Sequence, residues 1–261
     1  MKIPIYQIDA FSGRRFGGNP AAVCPLDDWL DDRTLQAIAA ENNLSETAFF
    51  TEAGGRYKLR WFTPTREVDL CGHATLATAF VLFEEIGVGG DKVAFETPSG
   101  PLAVSRDGDR LTLDFPARPP APIDVDTATA IAEALGGRPA AVLGNVMGLA
   151  VFESEADVRA LKPDFERVAV LALDGVIVTA PGTAVDFVSR YFAPAAGIPE
   201  DPVTGSAHCL LTPYWAERLS KTQLTARQVS ARGGELWCEA RGERVAISGR
   251  AVKFLEGLIT L

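Results

Sequence analysis

The chain has 261 residues, of which 47% are hydrophobic and 23% charged, and its formal net charge is −9. This composition is typical of a soluble globular protein with one large or two ordinary domains, and the lack of a dense Lys/Arg run argues against nucleic acid and membrane partners. Four scattered cysteines and an N-terminus without the apolar core of a secretion signal predict reduced thiols and a cytoplasmic protein.

The first half is predicted to be mainly strands, interrupted by two helices. The helix at Asp28–Asn42 has apolar residues at helical spacing. The helix at Ala74–Glu85 is apolar on every face, so we expect a curved sheet to bury it. Asp107-Gly108 predicts a hairpin. The predicted strands are short runs rich in β-branched and aromatic residues, at Ile3–Phe11, Ala48–Thr51, Lys58–Phe62, Val93–Thr97, Leu102–Ser105 and Arg110–Phe115.

A proline-rich segment, Pro116–Pro122, predicts an extended linker at a domain boundary. After it, the pattern predicts short helices at Thr127–Leu135 and Glu155–Leu161, and a nearly all-apolar helix at Ala207–Leu219 that contains Pro213. The tail, Ala251–Leu261, is predicted to be a strand that pairs with either half. The other strands predicted in this half are Gly175–Thr179, Val185–Tyr191, Gln228–Ala231, Leu236–Arg241 and Arg244–Ser248.

The two halves carry the same run of residues. An aromatic strand, Arg60–Phe62 or Arg190–Phe192, is followed by a proline, two acids and a glycine that opens an apolar helix. This duplication predicts an α+β protein with two similar lobes, residues 1–117 and 118–261, each a mostly antiparallel sheet around a central helix. It also predicts one site where the lobes meet, because ligand pockets favour domain interfaces.

The two glycine-led helix starts, Gly72-His73 and Gly205-Ser206, are candidate anion sites. The backbone N–H groups of a helix N-terminus carry about half a positive charge and bind anions. Two such ends facing one cleft would hold a small carboxylate without an arginine. Ordinary helix capping explains the Gly and Ser residues equally well for a single helix.

Two side chains are candidates for proton chemistry. His73 would handle protons or hydrogen bonds near neutral pH, or be structural. Glu46 lies between a helix end and an apolar strand, where lost solvation would raise its pKa toward the range useful for proton transfer, unless it is a surface residue. For His208 we expect packing. A zinc site formed with Cys71 and Cys209 stays a minor alternative, because common zinc spacings are missing, as are nucleophile elbows and phosphate or dinucleotide loops.

Five motifs together carry a family resemblance: Asp9-Ala-Phe11, Gly18–Val23, Asn43–Thr47, Asp69–Thr75 and Glu200–Ala207. With them the chain resembles the PhzF-like isomerase family, named for a phenazine-biosynthesis enzyme, over most of its length. The resemblance implies the fold of diaminopimelate epimerases and proline racemases, in which each of two similar lobes is a β-barrel around a central helix.

The resemblance implies one-base chemistry at Glu46. This residue would remove a proton from a carbon next to an unsaturated system and return it to another carbon on the same face. A small carboxylate is the implied substrate, no cofactor or metal is needed, and a homodimer is implied. The implied auxiliary residues, which would orient the substrate, relay its exchangeable protons or hold its carboxylate, are His73, Asp201, Ser206, Gly72 and Gly205.

The two-thiol epimerases that share this fold open each central helix with a cysteine. Here Cys71 fills the first of these positions, but Thr204 stands at the second. The resemblance therefore argues against a two-thiol epimerisation. Two alternatives stay open: a non-catalytic protein that binds small acids, and a Cys71-dependent epimerase or racemase.

Overall fold

The computed structural model describes residues 1–261. Backbone contacts divide the chain into two compact units, here called the first and the second unit. The first unit is Met1–Asp114 together with Ser248–Leu261, and the second is Phe115–Ile247. None of the helices combines the length and the apolar character that a membrane crossing would require.

The first unit holds two helices and a set of mostly antiparallel strands. Its second helix, α2, continues without a break into a π-helical segment, Val81–Ile86. The elements in chain order are β1 Lys2–Ala10, β2 Asn19–Leu26, α1 Asp32–Asn42, β3 Glu46–Ala53, β4 Arg56–Phe62, β5 Glu67–Val68, α2 Gly72–Phe80, β6 Lys92–Thr97, β7 Gly100–Asp107, β8 Arg110–Pro116 and, at the end of the chain, β18 Ala251–Thr260.

The second unit holds the remaining elements, with a single 3₁₀ turn at Pro194–Ala196. In chain order they are β9 Ala121–Pro122, α3 Val125–Leu135, β10 Ala141–Gly144, β11 Gly148–Val151, α4 Glu155–Ala160, α5 Phe165–Ala169, β12 Val176–Pro181, β13 Phe187–Ala193, β14 Ile198–Asp201, α6 Gly205–Leu219, β15 Gln223–Gln228, β16 Gly234–Arg241 and β17 Arg244–Gly249.

The two halves that repeat in the sequence also share the same order of antiparallel and parallel strand pairs. In the first unit β1–β2, β3–β4 and β6–β7 are antiparallel, whereas β2–β3 and β4–β6 are parallel. In the second unit β10–β11, β12–β13 and β15–β16 are antiparallel, whereas β11–β12 and β13–β15 are parallel. Each parallel pair is connected through a helix, because parallel strands need a long crossover.

The two apolar helices lie at the centre of their units. Every residue from Gly72 to Ala79 in α2 is buried, and the helix packs against β1, β2, β3, β7 and β18. In the second unit α6 packs against β15 and β16, and its Trp215 stacks on Phe187 with ring centroids 5.7 Å apart. A helix without a polar face needs such a cover, since any exposed side would leave apolar surface in water.

Pro213 inside α6 has a structural consequence for the proline-rich segment. A proline has no N–H, so the carbonyl four residues earlier loses its helical partner. That carbonyl belongs to Cys209, and it accepts a hydrogen bond from the N–H of Arg118 at 2.9 Å. The neighbouring Ala117 donates to the carbonyl of Glu243 at 2.8 Å. This part of the segment is therefore held by backbone hydrogen bonds within the second unit.

Most predicted elements are confirmed, with informative differences. The first helix begins at Asp32 because Asp31 caps it by accepting from the N–H of Thr34. The strand predicted at 228–231 is wrong: β15 ends at Gln228, and the hydroxyl of Ser230 accepts from the N–H of Gly233 in a turn. The prediction missed β2, β5, β9, β10, β11, β14 and α5, and most of β15. The sequence of β2 contains two prolines and three small residues, which give it a low strand propensity, and the strand forms because tertiary packing stabilises it.

Candidate active site

Glu46 is the first residue of β3, and its side chain is only 12% exposed. The parallel β2–β3 register aligns Glu46 with Ala21. Aligned residues of neighbouring strands share a face, and so do residues two apart on one strand. Glu46 therefore lies on the same face of the sheet as Asn19, which begins β2 and is fully buried.

His73 lies in the first turn of α2 and is 4% exposed. Its Nε2 is 3.2 Å from Oε2 of Glu46. Its Nδ1 is 3.2 Å from the amide nitrogen of Asn19 and 3.5 Å from Sγ of Cys71. Burial lowers the pKa of His73 to about 3, so the ring is neutral near pH 7. The structure thus brings together three of the predicted residues, Glu46, Gly72 and His73.

The starts of α2 and α6 differ from those of the other helices. The side chains of Asp31, Asp124, Ser154 and Asp164 cap α1, α3, α4 and α5 by accepting backbone N–H groups. The cap residues of α2 and α6 are Cys71 and Thr204, and neither side chain makes such a bond. The first turn of each central helix therefore lacks the side-chain cap of the other four helices, and an anion is an alternative partner for its N–H groups.

In the second unit, Asp201 and Thr204 form a buried cluster at the start of α6. The hydroxyl of Thr204 donates to Oδ2 of Asp201 at 2.5 Å, and both residues are 7% exposed. The amide of Gln228 binds the same segment: its Oε1 accepts from the N–H of Thr204 at 2.9 Å, and its Nε2 donates to the carbonyl of Asp201 at 2.8 Å. Gly205 and Ser206 follow in the first turn of the helix.

The thiol, the imidazole and the carboxylate of the first unit lie close together, with the thiol and the carboxylate beside different nitrogens of the ring. Ligand atoms of Glu46, Cys71 and His73 lie within 4.8 Å of one another. However, Sγ of Cys71 lies beside Nδ1 and the carboxylate beside Nε2, and these nitrogens point away from each other across the ring. Cys209, from the zinc alternative, stays a protonated thiol because burial raises its pKa to about 12. His208 donates from Nδ1 to the carbonyl of Thr204 at 2.8 Å, which fits the packing role expected for it.

Two residues at these helix starts were not predicted from the sequence. Asn19 stands in a motif that carries the family resemblance, but nothing in the sequence connects it with His73. Gln228 begins a strand predicted from the sequence, and nothing in the sequence assigns it a role. Its only sequence signal is a long polar side chain at a position where the buried residues of β15 alternate.

Comparisons with known proteins agree with this architecture. A family model described as phenazine biosynthesis-like protein, PhzC-PhzF, matches residues 8–257. An uncharacterised isomerase of Pseudomonas aeruginosa is 55% identical over 262 residues, which cover 100% of both chains. The crystal structure of a PhzF family phenazine biosynthesis protein from Enterococcus faecalis has a TM-score of 0.97 at 49% identity and covers 100% of both chains.

A more distant structure shares the fold alone. A probable proline racemase from Agrobacterium radiobacter K84 has a TM-score of 0.66 at 12% identity, covering 99% of this chain and 93% of the other. These likenesses confirm the predicted fold, which the racemase structure shares. The chain therefore belongs to the phenazine biosynthesis-like (PhzC-PhzF) family and is classed with its isomerases.

Proposed function

We propose that this chain is a cofactor-independent isomerase that moves a proton between two carbons of a small unsaturated carboxylic acid, with Glu46 as base and then as acid. The observation that carries the proposal is the position of Glu46. Its carboxylate is 12% exposed, lies 3.2 Å from Nε2 of His73, and stands beside the first turn of α2. A general base needs this combination of partial access and fixed orientation.

In the proposed reaction, the carboxylate of Glu46 takes a proton from a carbon next to the unsaturated system, so a C–H bond breaks and an O–H bond forms. The released electron pair spreads over the conjugated system and the substrate carboxylate. The N–H groups of the first turn of α2, at Gly72 and His73, are placed to stabilise that negative charge. Glu46 then returns the proton to a different carbon, which regenerates its carboxylate.

The residues assigned in the second unit are Asp201, Ser206 and Gly205, and their role is to orient the substrate or relay its exchangeable protons. Their support is the family motif and the uncapped start of α6. The hydrogen bonds that Gln228 makes with this segment hold its backbone in one conformation, as a binding site for a small ligand requires.

The proposal is tested with β,γ-unsaturated carboxylic acids as probes, incubated with the protein in D₂O and followed by proton NMR. We expect the wild-type protein to exchange a carbon-bound proton or move the double bond in at least one acid. Glu46→Gln should lower that rate by about 10²- to 10⁴-fold, the usual contribution of a general base. Glu52→Gln, an exposed glutamate on the same strand, is the matched control and should keep the wild-type rate.

Two outcomes contradict the proposal. Undiminished exchange by Glu46→Gln would remove Glu46 as the base. Binding of an acid without any exchange by the wild-type protein would favour the non-catalytic alternative.

A second candidate function, a one-thiol epimerase or racemase, is favoured by one observation: the thiol of Cys71 lies 3.5 Å from Nδ1 of His73. In that case Cys71 would be the base instead of Glu46. Cys71→Ser separates the two functions. It keeps the exchange rate within about threefold if Glu46 is the base, and loses about 10²-fold or more if the thiol is the base.

The homodimer remains part of the proposal, and its support is the family resemblance. Exposed apolar side chains on β18, including Phe254 (42%) and Leu258 (60%), offer a surface on which a second copy would bury apolar area. Light scattering of the purified protein would measure the mass. A monomeric mass at micromolar concentration contradicts the dimer.

A further inference from the structure

We infer that Asn19 is a positioning residue that fixes His73 in the tautomer with its proton on Nε2, so that an N–H group of His73 faces the carboxylate of Glu46. The tautomer assignment depends only on the geometry of these three side chains. Its consequence for catalysis rests on the proposed function, in which Glu46 is the base.

The backbone around Asn19 allows little freedom. Gly18, the preceding residue, has φ +65°, and a Cβ on it would lie 2.1 Å from the carbonyl oxygen of Ala10. Only glycine fits at this point. From there the chain enters β2 with the side chain of Asn19 fully buried on the face that carries Glu46. The pairing register of β2 and β3 therefore places the amide of Asn19 next to the His73 ring.

The neighbours of the ring decide where its proton lies. Nδ1 of His73 has two neighbours, the amide nitrogen of Asn19 at 3.2 Å and Sγ of Cys71 at 3.5 Å. An amide nitrogen donates and never accepts, so it requires a lone pair on Nδ1, and the thiol, which donates or accepts weakly, is compatible with that lone pair. Nε2 faces a carboxylate oxygen of Glu46 at 3.2 Å, which accepts when ionised. These two atoms are close but not aligned as a hydrogen bond. A neutral ring presents a lone pair to the Asn19 amide and an N–H group to the carboxylate only with its proton on Nε2.

The other histidine provides an internal comparison. The chain has two histidines. Nδ1 of His208 lies 2.8 Å from the carbonyl oxygen of Thr204, which only accepts, so the proton of His208 lies on Nδ1. The two rings are therefore assigned opposite tautomers. Burial lowers both pKa values, to about 3 for His73 and about 4 for His208, so both rings are neutral near pH 7.

The tautomer matters because it sets what Glu46 meets. An Nε2–H group 3.2 Å from the carboxylate oxygen favours the ionised carboxylate, which is the form that takes a proton from carbon. The opposite tautomer would present a lone pair to the carboxylate, which repels the ionised form. Asn19 thus acts on the reaction through His73, with no contact to the substrate required.

The experiment is a long-range ¹H–¹⁵N correlation spectrum of the imidazoles in the full-length, uniformly ¹⁵N-labelled protein near pH 7. His208→Gln removes one of the two sets of signals and so assigns both. In the wild-type protein we expect His73 protonated at Nε2 and His208 protonated at Nδ1. In Asn19→Asp the new carboxylate accepts from Nδ1, so the His73 proton should move to Nδ1 or the ring should carry both protons, while His208 is unchanged.

The matched control is Asn42→Asp. The amide of Asn42 donates to the hydroxyl of Thr47 at 3.1 Å and does not contact either histidine, so both imidazole patterns should stay as in the wild type. With the acid that the exchange assay identifies, Asn19→Asp should lower kcat by about 10- to 100-fold with a smaller change in KM, because a reacting group has lost its orientation.

Two results overturn the inference: a wild-type His73 protonated at Nδ1, or a folded Asn19→Asp protein with an unchanged His73 pattern. The first is decided on the wild-type protein, so it does not depend on whether the variant folds. The spectrum needs no substrate, and failure of the tautomer assignment is therefore distinguishable from failure of Glu46 as the base, which the Glu46→Gln exchange assay measures.

Discussion

Arg190 donates two parallel hydrogen bonds to the carboxylate of Glu200, at 2.8 and 2.9 Å. Arg60 and Glu67 form the same pair in the first unit, at 2.7 and 2.6 Å. Each pair ties the aromatic strand of its repeat to the acidic segment that leads into the central helix. The duplicated motif therefore has a structural role: it fixes the segment that precedes the start of each central helix.

Replacing Arg190 should destabilise the protein strongly. Its side chain is 12% exposed, and it also donates to the carbonyls of Val158 and Leu161 at 3.0 Å. Arg190→Leu leaves the carboxylate of Glu200 and two carbonyls without their donor. Removing one partner of a largely buried pair costs about 3–5 kcal/mol, so we expect a loss near the lower end, measured by urea unfolding.

The matched control is the exposed pair Arg227–Glu235, whose side chains are 39% and 50% exposed. Surface pairs contribute about 0–1 kcal/mol, so Arg227→Leu should change the free energy of unfolding by less than 1 kcal/mol. Equal losses in Arg190→Leu and Arg227→Leu would show that the buried, bidentate geometry of the Arg190–Glu200 pair adds nothing to stability.

The sequence predicted the features that depend on local pattern. The central helices could be predicted because their residues are apolar on every face, and the two-unit repeat because the aromatic, proline and glycine positions recur. The hairpin at Gly108 followed from turn chemistry, and β7 and β8 pair across it with Asp107 opposite Arg110. These signals are contained in short stretches of chain.

The contacts of the site depend on register between distant segments, which the sequence does not contain. Asn19 meets His73, and Gln228 meets Thr204, only because strands far apart in the chain align as they do. The same holds for the bond from Arg118 to the carbonyl that Pro213 frees. The family motifs pointed to Glu46 and His73 as site residues. The 3.2 Å distance between Oε2 of Glu46 and Nε2 of His73 depends on the fold and could not be predicted from them.

Gly18 should tolerate alanine far less well than Gly54. Both have a positive φ, +65° and +62°, so alanine is strained equally at each position. A Cβ on Gly54 meets nothing within 4 Å, whereas a Cβ on Gly18 lies 2.1 Å from the carbonyl oxygen of Ala10. We expect Gly54→Ala to cost about 1–2 kcal/mol in unfolding free energy and Gly18→Ala more than about 3 kcal/mol. Equal costs would contradict the close approach of the backbone at Gly18.

The thiols should differ in reactivity between the native and the unfolded protein. Burial raises the pKa of Cys24, Cys209 and Cys238 to about 12, so at pH 8 only about one in 10⁴ of these groups is a thiolate. We expect Ellman's reagent to label at most one thiol quickly in the native protein, that of Cys71, and all four in guanidinium. Cys71→Ser should abolish any fast native reaction, and more than one fast thiol would contradict the raised pKa values of Cys24, Cys209 and Cys238.

Stability should fall as the pH falls below neutrality because of the two buried histidines. Burial lowers the pKa of His73 from 6.5 to about 3 and that of His208 from 6.5 to about 4. Below pH 6.5 the two histidines therefore bind protons in the unfolded chain but stay neutral in the folded chain. The stability that they contribute is complete above pH 6.5 and is lost progressively as the pH falls toward 3–4. Each histidine contributes a slope of at most about 1.4 kcal/mol per pH unit, which gives a combined loss of about 4 kcal/mol between pH 7 and pH 5.

Urea unfolding at pH 7 and pH 5 measures this loss of stability. His208→Gln should halve the loss, whatever the stability of the variant at pH 7. A variant that loses as much as the wild-type protein would show that His208 is protonated in the native state.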